Sequence, residues 1–489
     1  MPRAPRCMST QHPDNVTVPF FAERADLGGE DEVTEAYYAY SHLGCDEQMW
    51  DVEGKEVDAF VVKKLLTRYE DYFHANRLGD DVRLTLRVPN PTVERAEAKV
   101  LLETLESIPR SYDAARLFYG GEDIPPPIFE VILPMCASHL YVERIRRYYR
   151  EHIYKRQFLP FFDGDITIGE WIGQFLPADI EVIPLFEDRD HMLAADTILS
   201  RYLDSFEGPE QRVFLARSDP AMNYGMLSAV LLNKVALARL HRLAESRGIT
   251  IQPIIGVGSA PFRGNLTPRT VHRVAEEYPS AVTFTVQSAF KYDYPPAEVV
   301  EAVQSLRERE VRRPAEIDEE RAVDLIDRFA AEYRSHVVEL APLINSTAAH
   351  IPSRRRRKLH IGLFGYARDV EGITLPRAIS FTGALYSLGV PPELFGLSAL
   401  TDDDVRFLEN AYPGFMFDLA DAARYWDRDS DLMPAAVRAA AGRLGLDGVE
   451  RDEAHIALSR NIRATIEAGG RESATAQLVA AGQIRRFLG

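Results

Sequence analysis

Cysteine is scarce in this chain. Its three copies, Cys7, Cys45 and Cys136, are odd in number and none belongs to a Cys-x-x-Cys pair. That excludes a disulfide framework and a zinc ribbon, and it fits the reducing cytosol. Long apolar runs are missing as well: none reaches the roughly 18–20 residues that span a bilayer. No apolar stretch follows Arg3 and Arg6, so no signal peptide and a cytoplasmic location are expected. Internal repeats and low-complexity segments are absent. Positive charge is in deficit, with 57 Lys and Arg against 74 Asp and Glu and a net charge of −17. Such a surface repels phosphate backbones and anionic membranes, so neither nucleic acid nor membrane is an expected partner. An acidic protein that binds a small anion must gather its arginines locally.

What remains is a globular composition, 46% hydrophobic and 27% charged over 489 residues. That length holds one large barrel with insertions, or two to three ordinary domains. Short β-rich runs stand at 82–88, 128–134, 180–186, 212–217, 251–257, 281–287, 359–365 and 394–400. Most are near-continuous apolar runs, the pattern of strands buried on both faces of a parallel sheet. Helical patterns fill the gaps. Asn90-Pro91 reads as an N-cap followed by Pro at the first helical position. The apolar face of that helix passes through Val93, Val100, Leu101, Leu105 and Ile108, and Pro109 ends it. Asp219-Pro220 opens a second helix, with Gly248 at its C-terminal cap. Residues 296–348 read as a helical insertion and residues from about 402 to 489 as a helical C-terminal region. The predicted fold is α/β: a (β/α)₈ TIM-type barrel with extensive additional helices, one domain over 1–489 with its core at about 82–400. A doubly wound open sheet is the alternative.

Most of these runs end in polar groups. Arg87 lies near the end of the first; Glu187 follows the third and Asp219 the fourth. Gly256, Gly258 and Arg263 follow the fifth, Gln287 and Lys291 the sixth, and Arg368 the seventh. In a parallel barrel these ends share one face, where catalysis takes place. Each residue also has a plainer reading. Asp219 before Pro220 makes a good helix N-cap, and Glu187 could simply start a loop. The pair lies one β/α unit apart, however, which predicts neighbouring strand tops able to share a cation. Two carboxylates without nearby Cys or His favour Mg²⁺ or Mn²⁺ over zinc.

The glycine-bearing loop from Gly256 to Gly264 has Pro261 where a dinucleotide fingerprint needs its third glycine, and it lacks the Gly-Lys-Ser/Thr of a Walker loop. It can still cradle an anion on backbone N–H groups, with Arg263 reaching in, or be a plain tight turn. His12 stands in Ser9-Thr-Gln-His-Pro-Asp-Asn15, where a lone histidine is more often surface. The basic run Arg354-Arg-Arg-Arg-Lys358 reads as a solvated or interface charge run.

Taken together, several segments carry a family likeness. They are Arg6–Asn15, His42-Leu-Gly-Cys-Asp-Glu-Gln-Met-Trp50, Leu86-Arg-Val-Pro-Asn-Pro-Thr92, Ala216-Arg-Ser-Asp-Pro-Ala-Met-Asn-Tyr-Gly225, Gly256–Asn265 and Leu359–Leu388. On these the chain resembles the phosphoenolpyruvate carboxylases, specifically the compact archaeal-type branch, over most of its length. The resemblance implies a carbon–carbon lyase that makes oxaloacetate and phosphate from phosphoenolpyruvate and bicarbonate, through carboxyphosphate and pyruvate enolate. It implies His12 as the catalytic histidine, and Glu187 and Asp219 as ligands of Mg²⁺ or Mn²⁺. Arg87, Arg263, Arg368 and Arg377 are the implied holders of phosphate, carboxylate and carboxyphosphate, with Gly258, Gln287 and Lys291 as further substrate-binding positions. A homotetramer that feeds four-carbon acids to the tricarboxylic acid cycle is implied too. One departure stands out: the larger family members carry a second loop arginine where this chain has Val257. Another Mg-dependent barrel enzyme acting on phosphoenolpyruvate or pyruvate is the alternative function.

Overall fold

The computed structural model describes residues 4–489 apart from 56, 122, 207, 357–367 and 371–372. Eight parallel strands close into a barrel: β1 (Cys7–Ser9), β2 (Glu47–Asp51), β3 (Arg83–Arg87), β4 (Glu130–Leu133), β5 (Glu181–Phe186), β6 (Glu210–Ala216), β7 (Thr250–Gly256) and β8 (Thr283–Val286). Closure is made by β1 on β8, with Cys7, Met8 and Ser9 opposite Phe284, Thr285 and Val286. The doubly wound alternative is therefore excluded.

Six of these strands fall on predicted runs. Of the other two predictions, the one at 394–400 fails. Residues 394–400 hold two 3₁₀ turns, Pro392–Leu394 and Leu397–Ala399, which bury Leu394, Phe395, Leu397 and Leu400 as completely as a core strand would. Apolarity alone does not separate the two cases. Residues 359–365 lie outside the described residues. Their places in the barrel are taken by β1 and β2, so the strands span Cys7 to Val286 rather than beginning near residue 82. β1 has only three residues, and β2 reads Glu-Gln-Met-Trp-Asp, a polar sequence that no hydrophobicity pattern flags.

That polarity has a structural cause. Alternate residues of a strand face one side, and in a closed barrel one side is the lumen. On β2 the lumen receives Glu47, Met49 and Asp51. Near the N-terminal ends of the strands, Arg212 on β6 grips Glu47 with two bonds of 2.7 and 2.8 Å and reaches Glu130 on β4 at 3.1 Å. Arg83 on β3 also bonds Glu130 at 3.1 Å, and Thr85 donates to Glu47. Above this buried ionic plug lies an apolar layer of Met8, Met49, Ile132, Ile183, Leu185, Phe214 and Ile254. Above that, at the C-terminal ends, the lumen opens.

Two helix predictions also need correction. Asn90 caps a turn, accepting from Thr92 N at 3.0 Å and donating to Pro134 O at 2.9 Å; the helix itself is Ala98–Tyr119, with Pro109 inside it. Leu101, Leu105, Ile108, Tyr112 and Ala115 bury a continuous stripe on both sides of Pro109, which outweighs the lost backbone bond. The helix predicted from Asp219 to Gly248 is two helices, Ser218–Tyr224 and Met226–Arg247, because Gly225 between them takes φ 87°. A side chain there would strike Phe329, 2.6 Å from the Cβ position. Gly248 does close the second helix, in the left-handed conformation.

Removing one partner from the buried plug leaves charge uncompensated. Arg212→Met is expected to destabilise the fold by about 3–5 kcal/mol, read as a fall in the urea midpoint. An unchanged midpoint would mean that the plug contributes nothing to stability.

Candidate active site

At the C-terminal ends of the strands lies a cavity of about 380 Å³. The strand alternation that builds the plug supplies its floor: Asp51 from β2, Arg87 from β3, Glu187 just past β5, Gly256 ending β7, and Gln287 just past β8. Six cationic residues line it, namely Lys55, Arg87, Arg217, Arg263, Arg354 and Arg377, against four acids, Asp51, Glu53, Glu187 and Asp219. Cations thus outnumber acids in the pocket within a chain of charge −17. Low-dielectric walls concentrate that local field on an anionic ligand.

The acids hold the cations in place. Asp51 receives two bonds of 2.7 Å from Arg87 and an ion pair of 2.6 Å from Lys55. Burial pushes the Asp51 carboxyl up, but Arg87 and Lys55 outweigh it and keep it below the usual carboxylate range. Glu53 lies 3.6 Å from Arg87. Burial, with Asp51 and Glu187 adding to it, pushes Glu53 up to about 8, so it is mostly protonated at neutral pH. Arg263 is buried and largely engaged. It donates to Asp14 at 3.1 Å, Gly489 O at 2.8 Å, Ser218 at 3.2 Å and Gln287 at 2.5 Å. Gly258 makes room for it, since a Cβ there would sit 2.9 Å from the guanidinium carbon. Leu488, whose N–H donates to Asp14 O at 2.7 Å, completes this wall.

His12 enters the cavity three residues beyond the end of β1. Its Nδ1 lies 2.9 Å from the hydroxyl of Thr10, which is fully buried. Its carbonyl accepts from Asp14 N and Ser288 N at 3.1 and 3.2 Å. Burial first, then the charges of Arg87, Lys55 and Arg263, hold the imidazole well below its ordinary range, so it is neutral at pH 7. Asp14 accepts from Ala289 N at 2.7 Å and from Arg263. The His-Pro-Asp tripeptide therefore ties the first strand to the loops after β7 and β8, and the surface reading of His12 is wrong.

Glu187 and Asp219 line the same cavity from the ends of neighbouring strands. Glu187 accepts from Met135 N at 2.7 Å. No group of three or more metal-ligating side chains occurs among the described residues. Two carboxylates in a wet cavity still suit a hard cation that completes its shell with water and substrate, as Mg²⁺ does.

Of the predicted site residues, His12, Arg87, Glu187, Asp219, Arg263, Gln287 and Arg377 come together in this cavity. Arg377 precedes the helix Ala378–Ser387 as its N-cap residue. Gly258 acts on Arg263 from behind. Lys291 does not line the cavity: its ammonium is consumed by Ser9, Thr10 O and Glu35 at 2.9–3.0 Å, so it braces the strand end that carries His12. Arg368 begins a short strand, Arg368–Val370, paired with Ile373–Leu375; its side chain lies outside the described residues. Val257 is fully buried against Gly264.

Sequence reasoning missed Asp51, Glu53, Lys55, Arg217 and Arg354. The alternation in β2 continues through Asp51 and was the available signal for the first of these. The reading of the basic run as solvated also fails for its first two members. Arg354 lines the cavity and donates to Asn15 O and Val16 O at 3.2 and 3.0 Å. Arg355 is buried on Glu35 and Glu32.

A family model described as phosphoenolpyruvate carboxylase matches residues 4–489. The phosphoenolpyruvate carboxylase of Methanospirillum hungatei is 56% identical over 489 residues, covering all of both chains. That of Methanothermobacter thermautotrophicus is 54% identical over 487 residues, again covering all of both. That of Pyrococcus abyssi is 54% identical over 429 residues, 86% of this chain and 88% of its own. With a closed parallel barrel, a cation-rich cavity at its mouth and full-length matches of this strength, the chain belongs to the phosphoenolpyruvate carboxylase family.

Proposed function

We propose that this cavity carboxylates phosphoenolpyruvate with bicarbonate, irreversibly, giving oxaloacetate and phosphate. The observation that carries the reading is the gathering of six cationic side chains and one neutral histidine in a single pocket of an acidic chain. In the first stage a bicarbonate oxygen attacks phosphorus and the enol oxygen leaves with the bonding pair. Carboxyphosphate and the enolate of pyruvate result. In the second, carboxyphosphate gives up its proton and splits to CO₂ and phosphate, and the enolate carbon attacks CO₂.

Both stages spread negative charge over several oxygens. Guanidinium groups suit this, because a planar fork binds carboxylate or phosphate at two points and stays charged. Arg87, preset by Asp51, and Arg377 are assigned to the substrate's anionic groups, with Arg368 joining them. Arg263 is mostly spent on protein partners, so its part is to shape the loop while offering its remaining N–H. Lys55 and Arg354, which reach the pocket from other segments, take over the charge that Val257 lacks. Glu187 and Asp219 hold Mg²⁺ or Mn²⁺, which when bound supplies Lewis acidity toward a substrate oxygen.

His12 accepts the carboxyphosphate proton at Nε2. That requires the other ring nitrogen to carry its proton, and the Thr10 hydroxyl, 2.9 Å from Nδ1, is placed to accept from it. Thr10 is thus a positioning residue. We further assign the chain a cytoplasmic, homotetrameric state and the supply of four-carbon acids to the tricarboxylic acid cycle.

Replacing His12 by Asn is expected to cut oxaloacetate formation by about 10²–10⁴-fold while bicarbonate-dependent phosphate release from phosphoenolpyruvate persists. Parallel assays of the two products decide it, and equal loss of both would remove the proton-acceptor role. Since His12 is held neutral, its contribution to the acid limb of kcat/KM is expected below pH 6.5, activity rising as it deprotonates.

Thr10→Val deletes one hydrogen bond and is expected to lower oxaloacetate turnover about 3- to 10-fold, with the acid limb displaced. Thr10→Ser is expected to restore both. A serine variant as impaired as the valine one would assign Thr10 to packing alone.

For Glu187→Gln the half-saturating Mg²⁺ concentration is expected to rise by at least roughly tenfold with little change in thermal unfolding. An unchanged Mg²⁺ requirement takes Glu187 off the ligand set.

A further inference from the structure

The loop that carries Arg263 is gripped at its far end by residues from outside the barrel. Asn265 takes φ 56°, a left-handed backbone that glycine adopts freely and asparagine tolerates better than most side chains. Glycine would therefore meet the need of the backbone. Asparagine adds an amide with two donor hydrogens, and both are engaged. Nδ2 donates to Asp418 at 2.7 Å and to Asp421 at 2.8 Å, with Asn265 only 3% exposed. The two acids stand three residues apart on the helix Phe415–Ala423 and so share one face of it. None of these three residues lines the cavity.

Two carboxylates on one helix face repel each other. Arg273, donating to Asp421 at 2.6 Å, and Tyr412, donating to Asp418, offset that repulsion and fix both acids. The same helix sends Ala422 into a buried cluster with Ala260 of the loop. Within the loop the backbone is tied to itself. Asn265 N donates to Ala260 O at 3.0 Å, Leu266 N to Gly258 O at 3.0 Å and Gly258 N to Arg263 O at 2.8 Å. A displacement of Asn265 therefore reaches Arg263, two residues before it. Arg263 is buried among four protein partners, so its remaining N–H has one direction only in which to meet a ligand.

We propose that Asn265, gripped by Asp418 and Asp421, is a positioning residue for carboxylation: from behind the loop it sets the place of the Arg263 guanidinium in the cavity. The helical region beyond the barrel thereby has a part in the chemistry, through one of its helices. This inference rests on the reading of the cavity as a phosphoenolpyruvate site and extends it to residues that never touch the substrate. Precision is what the grip supplies, since a charged group misplaced by about 1 Å can lower turnover by about 10²-fold.

The test measures phosphoenolpyruvate affinity by calorimetry, with Mg²⁺ present and bicarbonate withheld, and carboxylation by oxaloacetate formation. Asn265→Gly keeps the backbone conformation and removes both hydrogen bonds. It is expected to lower kcat/KM by roughly 10- to 100-fold, with a parallel loss of phosphoenolpyruvate affinity. Asp421→Ala deletes one acceptor at a half-buried position, so a native circular dichroism spectrum is expected together with a loss of about 3- to 10-fold. The triple exchange Asn265→Asp, Asp418→Asn, Asp421→Asn reverses the direction of both hydrogen bonds and leaves Tyr412 and Arg273 their acceptors. It is expected to recover most of the affinity and turnover lost in Asn265→Gly. Unaltered affinity and turnover in Asn265→Gly or in Asp421→Ala overturn the proposal. A folded triple exchange as impaired as Asn265→Gly overturns it too, assigning Asn265 to packing alone. Failure of the carboxylase reading shows elsewhere, in an unaltered protein that binds phosphoenolpyruvate yet forms no oxaloacetate, and the affinity series then still decides whether Asn265 positions Arg263.

Discussion

The alternation of side chains along a strand is the constraint on which the rest of this molecule depends. In a closed parallel barrel every second residue must enter the lumen, whatever its chemistry. Here successive inward positions on β2 are Glu47, Met49 and Asp51, and on β3 Arg83, Thr85 and Arg87. The same two strands that lock the closed end with an ionic plug therefore deliver an acid and an arginine to the open end. Structure and site are written in one register, and a slip of a single residue would send all six side chains outward.

Electrostatics then arranges what the strands deliver. Cations in a buried pocket repel one another, and each costs desolvation energy. The carboxylates of Asp51 and Asp14 offset this while fixing Arg87 and Arg263 in defined positions. The surplus of positive charge in the pocket is what an anionic substrate meets. Neutral His12 fits the same scheme: burial and its cationic neighbours favour the uncharged imidazole, the form able to accept a proton.

The architecture was legible where strands are apolar on both faces, as in β4 to β8. It was hidden in β1, which is only three residues long, and in β2, where the lumen-facing Glu47 and Asp51 erase the hydrophobic signal. Leu394 to Leu400 misled for the opposite reason, since tight turns packed against a core are as apolar as a strand. In the site, residues directly at strand ends were readable: Arg87, Glu187, Gln287. Lys291 sits one turn further on and points under the site, toward Glu35. Arg354 comes from beyond the barrel, after the helix Glu319–Ala348, and only the folded chain brings it to the cavity. The N-terminal segment shows the value of family likeness, because no pattern of its own marks three residues as a barrel strand or His12 as a lining group.

The central claim is that this cavity couples phosphate release to carbon–carbon bond formation. The most direct measurement incubates the purified chain with phosphoenolpyruvate, bicarbonate and Mg²⁺, and follows oxaloacetate through malate dehydrogenase and NADH while phosphate is measured in parallel. The account predicts one NADH oxidised for each phosphate released, with both signals absent when bicarbonate is withheld and indifferent to ADP. Phosphate release that proceeds without bicarbonate, or turnover that requires ADP, would contradict it.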